Sequence, residues 1–429
     1  MSSSSTTPSY TAVLRTRHAC RTFGAALLGR LSYGMVSLSL VLAVKESTGS
    51  YAVAGTVMAL FALTSVFLSP TRAGLVDRYG PRRALLPMAT AYALLLTGLA
   101  FATWWPEASG VLLGLLAAPA GACTPPLGPV MRTLWSDLLP DRRLLQRAYS
   151  LDSVAEELLF VAGPLLVGLL VQIAAPSAGL AVSAVLVLTG TLALVTSPAA
   201  RAWTVREKAP AGPAGSSGEP VLRGNPGLRQ AITVSAAVGI CLGAFELLVI
   251  AFTDAHHEPQ AVAWVLAALC GGSAIGGLVY GALPWRASNR LRLVFLTVPL
   301  GLTLAAAGGS PHPYVLIVWA ALGGLFIAPA ITTAYLIADE CADPANRTRA
   351  GAWVNTAFNA GSAGATAATG LLVGRLPLWL CFALAAVPVV LSAATAVRRA
   401  GRPAADTAAR PEPESERAPD GERQAAVVS

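Results

Sequence analysis

Apolar positions along this chain come in long unbroken blocks rather than in stripes. A helix crossing a bilayer core needs about 20 consecutive apolar residues. Twelve segments approach or reach that length: 22–44, 51–70, 84–104, 109–131, 148–174, 178–198, 231–252, 261–283, 293–308, 314–338, 350–373 and 378–397. Two of the divisions are slight, the turn at Pro176 and the break at Arg375–Pro377. The pattern predicts an all-α integral membrane protein with twelve transmembrane helices. Met1–Arg21 is polar, then basic, and lacks the pattern of a cleavable signal, so the block after it reads as the first membrane helix.

Polar segments divide the blocks. The stretch 199–228 contains PAGPAGSSGEP, the composition of a flexible connection, and separates the helices six and six. The expected organisation is an N-terminal segment 1–21, a six-helix bundle 22–198, a linker 199–228, a second six-helix bundle 229–397 and a disordered tail 398–429. The halves also echo one another. Leu116–Ala120 in the fourth segment matches Phe326–Ala330 in the tenth, and Asp152 and Glu156 in the fifth stand where Asn355 and Asn359 stand in the eleventh.

Composition agrees with a lipid solvent: 55% of residues are hydrophobic and 12% charged, against roughly a quarter charged in soluble domains. The net charge of +8 would suit a nucleic-acid partner, but its distribution argues otherwise. With the N-terminus in the cytoplasm, 27 of the 30 Lys and Arg fall on the cytoplasmic side, Arg72 and Arg132 counted among them. Only Lys45 and Arg375 fall outside, and Arg30 lies within the first helix. This is the positive-inside asymmetry, and it places both termini in the cytoplasm of a multi-pass plasma-membrane protein. Trp104, Trp105, Trp285, Trp353 and Trp379 sit near helix ends, as in an interfacial aromatic belt. The six cysteines form no metal-ligand spacing and the four histidines lie in flanks or loops. A membrane-embedded transferase is therefore disfavoured, for want of an intramembrane base or metal. No GxxxxGK[ST] loop is present, so ATP is not expected as the direct energy source.

The loop between the second and third helices reads Gly74-Leu75-Val76-Asp77-Arg78-Tyr79-Gly80-Pro81-Arg82-Arg83. It resembles the G-x-x-x-D-R-x-G-R-R loop of the major facilitator superfamily. The resemblance implies two pseudo-symmetric six-helix bundles working as a monomer. It implies a gating loop in which Gly74, Asp77, Arg78, Gly80, Arg82 and Arg83 latch the bundles. Asp77 suits the N-terminus of a neighbouring helix, and the three arginines suit Asp137 or Asp141 of the next loop. The equivalent loop of the second half keeps Gly277, Tyr280, Gly281, Arg286 and Arg290 but has no aspartate. Helix five carries Gly163, Pro164 and Gly168, a partial likeness to the Gly-Pro motif of family exporters, or else a bend with small residues for close packing. Family antiporters often carry an arginine in the middle of helix four, whereas Arg132 is expected at the cytoplasmic end of that helix.

Ionisable groups inside a membrane mark function. Arg30 lies nine residues past Arg21, about 13 Å into helix one, and Glu156 eight residues past Ala148, about 12 Å into helix five. The matching depths predict an Arg30–Glu156 pair, with Asp152 one turn nearer the cytoplasm. That pair would bind a charged solute, exchange a proton, or hold the bundle together. Tyr33, Glu246, Asn355 and Asn359 are further candidates for the solute site, and Glu157 is expected to point away from Glu156 towards an interface. The leading expectation is a secondary transporter exporting a small drug-like compound or metabolite, with the proton gradient as energy source and no cofactor or metal. The alternatives are an uptake symporter of the same fold and a non-transporting sensor.

Overall fold

The computed structural model describes residues 9–105, 108–203 and 225–400, with side chains to residue 393. Most of the 199–228 linker and the 398–429 tail lie outside the described residues. Regular structure among the described residues is helical, apart from an isolated bridge between Val373 and Leu376. The first half contains α1 (Tyr10–Arg15), α2 (Ala19–Thr48), α3 (Tyr51–Phe67), α4 (Ser69–Tyr79), α5 (Pro81–Ala102), α6 (Gly110–Cys123), α7 (Leu127–Leu138), α8 (Arg142–Leu170), α9 (Ser177–Val195) and the short α10 (Pro198–Arg201). The second contains α11 (Pro226–Ala255), α12 (Ala261–Ala282), α13 (Asn289–Ala307), α14 (Pro313–Gly324), α15 (Ile327–Cys341), α16 (Arg347–Leu372) and α17 (Leu378–Ala400).

Nine of these spans are long and apolar enough to cross a membrane, or ten if the bent pair α3 and α4 forms one. The twelve of the sequence reading include α16 and α17, which fall outside that set. α16 opens on Arg347 and Arg349 and carries Asn355, Asn359 and several hydroxyls, so its polar face dilutes its hydropathy. α17 is described with its side chains over Leu378–Ala393, and that part is an apolar helix.

Small residues set the closeness of packing. A Cβ on Gly163 would run into the backbone of Gly34, so α2 and α8 cross there with their main chains in contact. Gly168, one turn further on, meets nothing within 4 Å. The glycine of the Gly-Pro pair is thus a helix-crossing residue, whereas Gly168 is not.

Two spans are broken rather than continuous. Pro125 and Pro126 lack backbone N–H groups and push the preceding residue out of helical geometry, so α6 ends at Cys123 and α7 restarts at Leu127. The second half breaks between α14 and α15, at Leu325 and Phe326. The breaks correct the register of the internal echo. Pro129 and Pro329 are each the third residue of their restarted helix, so they correspond, rather than Pro119 and Pro329.

Among the described residues, the hydrogen bonds between the bundles lie in one half of their length, towards the end carrying Arg78, Arg142, Arg286 and Arg347, called here the basic face. α8 runs against α12 there. Arg147 donates to Ala282 O (3.1 Å), Gln146 to Tyr280 O (2.9 Å) and Ser150 to Gly277 O. α4 and α16 form the second seam, which continues to the last turn of α3, where Thr356 Oγ1 donates to Val66 O (3.1 Å). The segment before α2 also joins in. Tyr10 of α1 reaches across and donates to Leu278 O (2.5 Å), and burial raises its hydroxyl pKa above the ordinary value.

Candidate functional site

The break between α6 and α7 is what creates the site. It frees carbonyls at the end of α6, and Arg72 of α4 takes them, donating to Gly121 O (2.6 Å) and Ala122 O (3.1 Å), and also to Ser65 O of α3 (2.6 Å). Tyr33 of α2 donates to Pro125 O within the break itself. Arg72 is 5% exposed, so it is a buried brace and not the loop cation that the charge count took it for. Tyr33 likewise serves the break.

The restarted helix α7 is buried from Leu127 to Trp135. It carries Arg132 into the interior, where the side chain is 4% exposed. This corrects the expectation of an arginine at the end of helix four. A continuous helix would have carried Arg132 to the basic face, but the Pro-Pro break re-aims the chain and turns it inward.

Four charges meet there. Arg30 Nη1 lies 2.6 Å from Asp152 Oδ1, and its Nη2 lies 3.0 Å from Glu156 Oε2. Arg132 Nε lies 3.0 Å from Asp152 Oδ2, and its Nη2 donates to Glu156 Oε2. Each guanidinium therefore spans both carboxylates, and the cluster is neutral in formal charge. Spacing alone suggested the Arg30–Glu156 pair, but the structure adds a second arginine and makes Asp152 an equal member. The Asp152 side chain is fully buried, while that of Glu156 keeps 27% of its surface exposed. Glu156 is the most exposed member of the cluster.

The second bundle touches this cluster through an aromatic ring. The Arg132 guanidinium carbon sits 3.6 Å from the centre of the Tyr335 ring on α15. The Tyr335 hydroxyl donates to Asn355 Oδ1 of α16 (3.4 Å). Asn359, also on α16, donates to the backbone oxygen of Asn355 (2.8 Å). The path from charge cluster to Tyr335 to Asn355 crosses from one bundle to the other.

The remaining candidates separate. Glu157 lies at the α8–α12 seam, where its Oε1 accepts from Ser273 (2.5 Å). Glu246 is exposed on α11, one-half of the molecule away from Arg30 in sequence and outside the cluster.

The Gly74–Arg83 loop contacts the opposite bundle through its aspartate. Asp77 accepts from the backbone N–H groups of Thr348 (3.3 Å) and Arg349 (2.9 Å), at the start of α16 in the opposite bundle. It supplies the anion that the unpaired N–H groups of a helix start favour. Gly80 takes φ +80, where a Cβ is strained, and a Cβ on Gly74 would stand 3.5 Å from Arg349 Cδ. The arginines behave otherwise. Arg78 lies over the Tyr79 ring, 5.1 Å from its centre. Arg78, Arg82 and Arg83 are exposed and make no ion pair among the described residues. Asp137 instead faces Arg347 (4.0 Å), and Asp141 caps its own helix by accepting from Arg143 N (2.8 Å). The spacing also departs from the family loop in two places. Gly74 stands three residues before Asp77 where the motif has four, and Pro81 separates Gly80 from the arginine pair.

The sequence profile described as Major Facilitator Superfamily matches residues 22–298 and 247–427. The chain belongs to the major facilitator superfamily. It is a membrane transporter, not an enzyme, and transporters of this superfamily carry small molecules. Among curated relatives, the "Multidrug efflux pump Tap" of Mycobacterium tuberculosis (strain ATCC 25618 / H37Rv) is 29% identical over 150 residues, 34% of this chain and 35% of that protein. The Tap pump of Mycobacterium bovis (strain ATCC BAA-935 / AF2122/97) matches to the same extent. The match thus spans about a third of those relatives' length. Among solved structures, a bacterial homologue of the iron transporter ferroportin in the outward-facing state superposes with a TM-score of 0.73 at 16% identity, covering 90% of this chain and all of that one. The transporter FucP in the outward conformation gives 0.62 at 14% identity, covering 88% and 98%. The human organic anion transporter MFSD10 gives 0.63 at 15%, covering 91% and 100%. At these identities the likeness is one of fold.

Proposed function

We propose that this transporter is a secondary active exporter of a small amphiphilic compound, energised by proton exchange at the Arg30–Arg132–Asp152–Glu156 cluster. Twelve spans in two bundles rock about that cluster, with the basic face and both termini in the cytoplasm. In that orientation the bonded seams close the cytoplasmic half, so the arrangement is outward-facing. The observation that carries the reading is the neutral four-charge cluster, buried except at Glu156 and stacked on Tyr335 of the other bundle. Charge introduced at Glu156, by a proton or by a cationic group of the solute, unbalances two arginines at once. Arg132 then loosens from Tyr335, and the contact between bundles weakens.

The partial likeness to Tap supports export over uptake. An uptake symporter built on the same cluster is the second reading, favoured by the partial exposure of Glu156 in an otherwise buried cluster. Purified protein in proteoliposomes, given a library of amphiphilic compounds with and without an imposed pH gradient, separates the two. Export by proton exchange predicts accumulation of a compound against its gradient when the basic-face compartment is the more alkaline. Accumulation that requires solute and proton to move in the same direction would instead establish symport.

A further inference from the structure

One cavity lies apart from the charge cluster. It occupies about 730 Å³ on the basic face, between the α7–α8 turn of the first bundle and the α12–α13 turn and α15 of the second. Five arginines and two carboxylates line it. The carboxylates are already engaged. Glu340 accepts from Arg142 (2.8 Å) and Asn289 (2.8 Å), and Asp339 faces Arg347 (3.6 Å). Among the described residues, that leaves Arg143, Arg147 and Arg292 with no ion pair to a carboxylate. Arg292 directs its donors to Ala287 O, Trp285 O and the Gln146 side chain. Arg147, 8% exposed, donates to Ala282 O, and its Nη1 is buried with no hydrogen-bond partner among the described residues. Arg143 is exposed and forms no ion pair among the described residues.

Three uncompensated guanidiniums around one cavity raise a positive potential, and low-dielectric walls focus it. Arginine forks match phosphate oxygens in geometry as well as charge. The volume falls within the usual range for small-molecule sites and exceeds what a bare phosphate ion fills. The rest of the wall is mixed: Leu139, Pro140, Leu283 and Trp285 give it an apolar part, beside Ser136, Ser288 and Asn289.

We infer that this cavity binds a phosphate ester, its phosphate held by Arg143 and Arg147 and its organic part against the apolar part of the wall. The ester comes either from the headgroup of an anionic phospholipid or from a soluble metabolite. Because both bundles line the cavity, the bound ester bridges them and stabilises the form in which the basic face is closed. The inference is independent of transport direction and coupling, since binding is read without any solute present.

The test uses full-length protein in nanodiscs of phosphatidylcholine, of phosphatidylcholine with phosphatidylglycerol, and of phosphatidylcholine with added glycerol phosphate. Thermal unfolding is followed in each. Stabilisation by phosphatidylglycerol alone assigns the site to the headgroup, and stabilisation by glycerol phosphate assigns it to a soluble ester. In either case Arg143→Glu weakens the apparent affinity by about tenfold or more, the loss of one charge-assisted contact. Arg147→Gln acts in the same direction, and Arg229→Glu, an exposed site on the same face outside the cavity, leaves affinity unchanged. Three results overturn the inference. Neither source stabilises the protein, or both cavity variants bind as wild type does, or Arg229→Glu loses as much as Arg143→Glu.

Discussion

Removing one member of the charge cluster leaves the others unbalanced, and the cost is estimable. The four contacts run between groups whose charge centres lie about 4 Å apart, where each pair is worth about 4 kcal/mol at an effective dielectric near 20. Arg132→Met keeps a long unbranched side chain of similar reach but strands Asp152, which is fully buried, and Glu156 against a single arginine. Breaking a buried pair from one side costs about 3–5 kcal/mol. Glu156→Gln removes the partly exposed member, and about 1–3 kcal/mol is expected. The double variant leaves Arg30 and Asp152 as a neutral pair at 2.6 Å, so the penalties must not add; a favourable coupling of about 2 kcal/mol is expected. The assay is a graded SDS titration from mixed micelles, read by tryptophan fluorescence. Trp135, fully buried on α7 and 5.4 Å from the Phe23 ring, reports on this region. Additivity of the two substitutions within about 0.5 kcal/mol would refute the shared-charge description.

Three further outcomes follow from individual contacts. Asp77→Asn keeps one acceptor but loses the charge at the start of α16; a loss of about 2 kcal/mol moves the closed-to-open ratio of the basic face about 30-fold, measurable as a distance distribution between labels at positions 83 and 286. Tyr335→Leu removes the ring under Arg132 and should shift the same distribution towards opening, by about 1–2 kcal/mol, whereas Tyr335→Phe keeps the stack and most of the effect of the ring. Gly163→Leu drives a side chain into the Gly34 backbone and should destabilise the protein by at least about 2 kcal/mol, seen as a lower yield of monodisperse protein, while Gly168→Leu, with open space around it, should purify as wild type does.

Much of the fold was legible because its signals are one-dimensional. Apolar blocks and the Gly74–Arg83 loop are read directly from the order of residues. So were Arg30 and Glu156, because two helices entering from the same side put equal depths at equal residue counts. Arg132 was missed for a definite reason. Its depth was counted along an unbroken helix, although Pro125-Pro126 six residues earlier was the available signal that the helix restarts. The same oversight hid Arg72, which is buried only because the break leaves carbonyls for it to bond. Tyr335 carried no signal of its own: its partner lies in the other bundle, 203 residues away in sequence, and no spacing rule links them. The latch arginines show the converse. Arg78, Arg82 and Arg83 have the right type and place, but Asp137 faces Arg347 and Asp141 serves its own helix cap.

The account stands or falls on whether the cluster couples protons to solute. The direct measurement is proton movement driven by a solute gradient in proteoliposomes containing a trapped pH dye, compared between wild type and Glu156→Gln. The account predicts that wild type moves protons opposite to the solute. In Glu156→Gln, proton movement falls to the leak of protein-free vesicles while solute exchange without a pH gradient continues. Solute-driven proton movement of wild-type size, with unchanged pH dependence, in Glu156→Gln would contradict it.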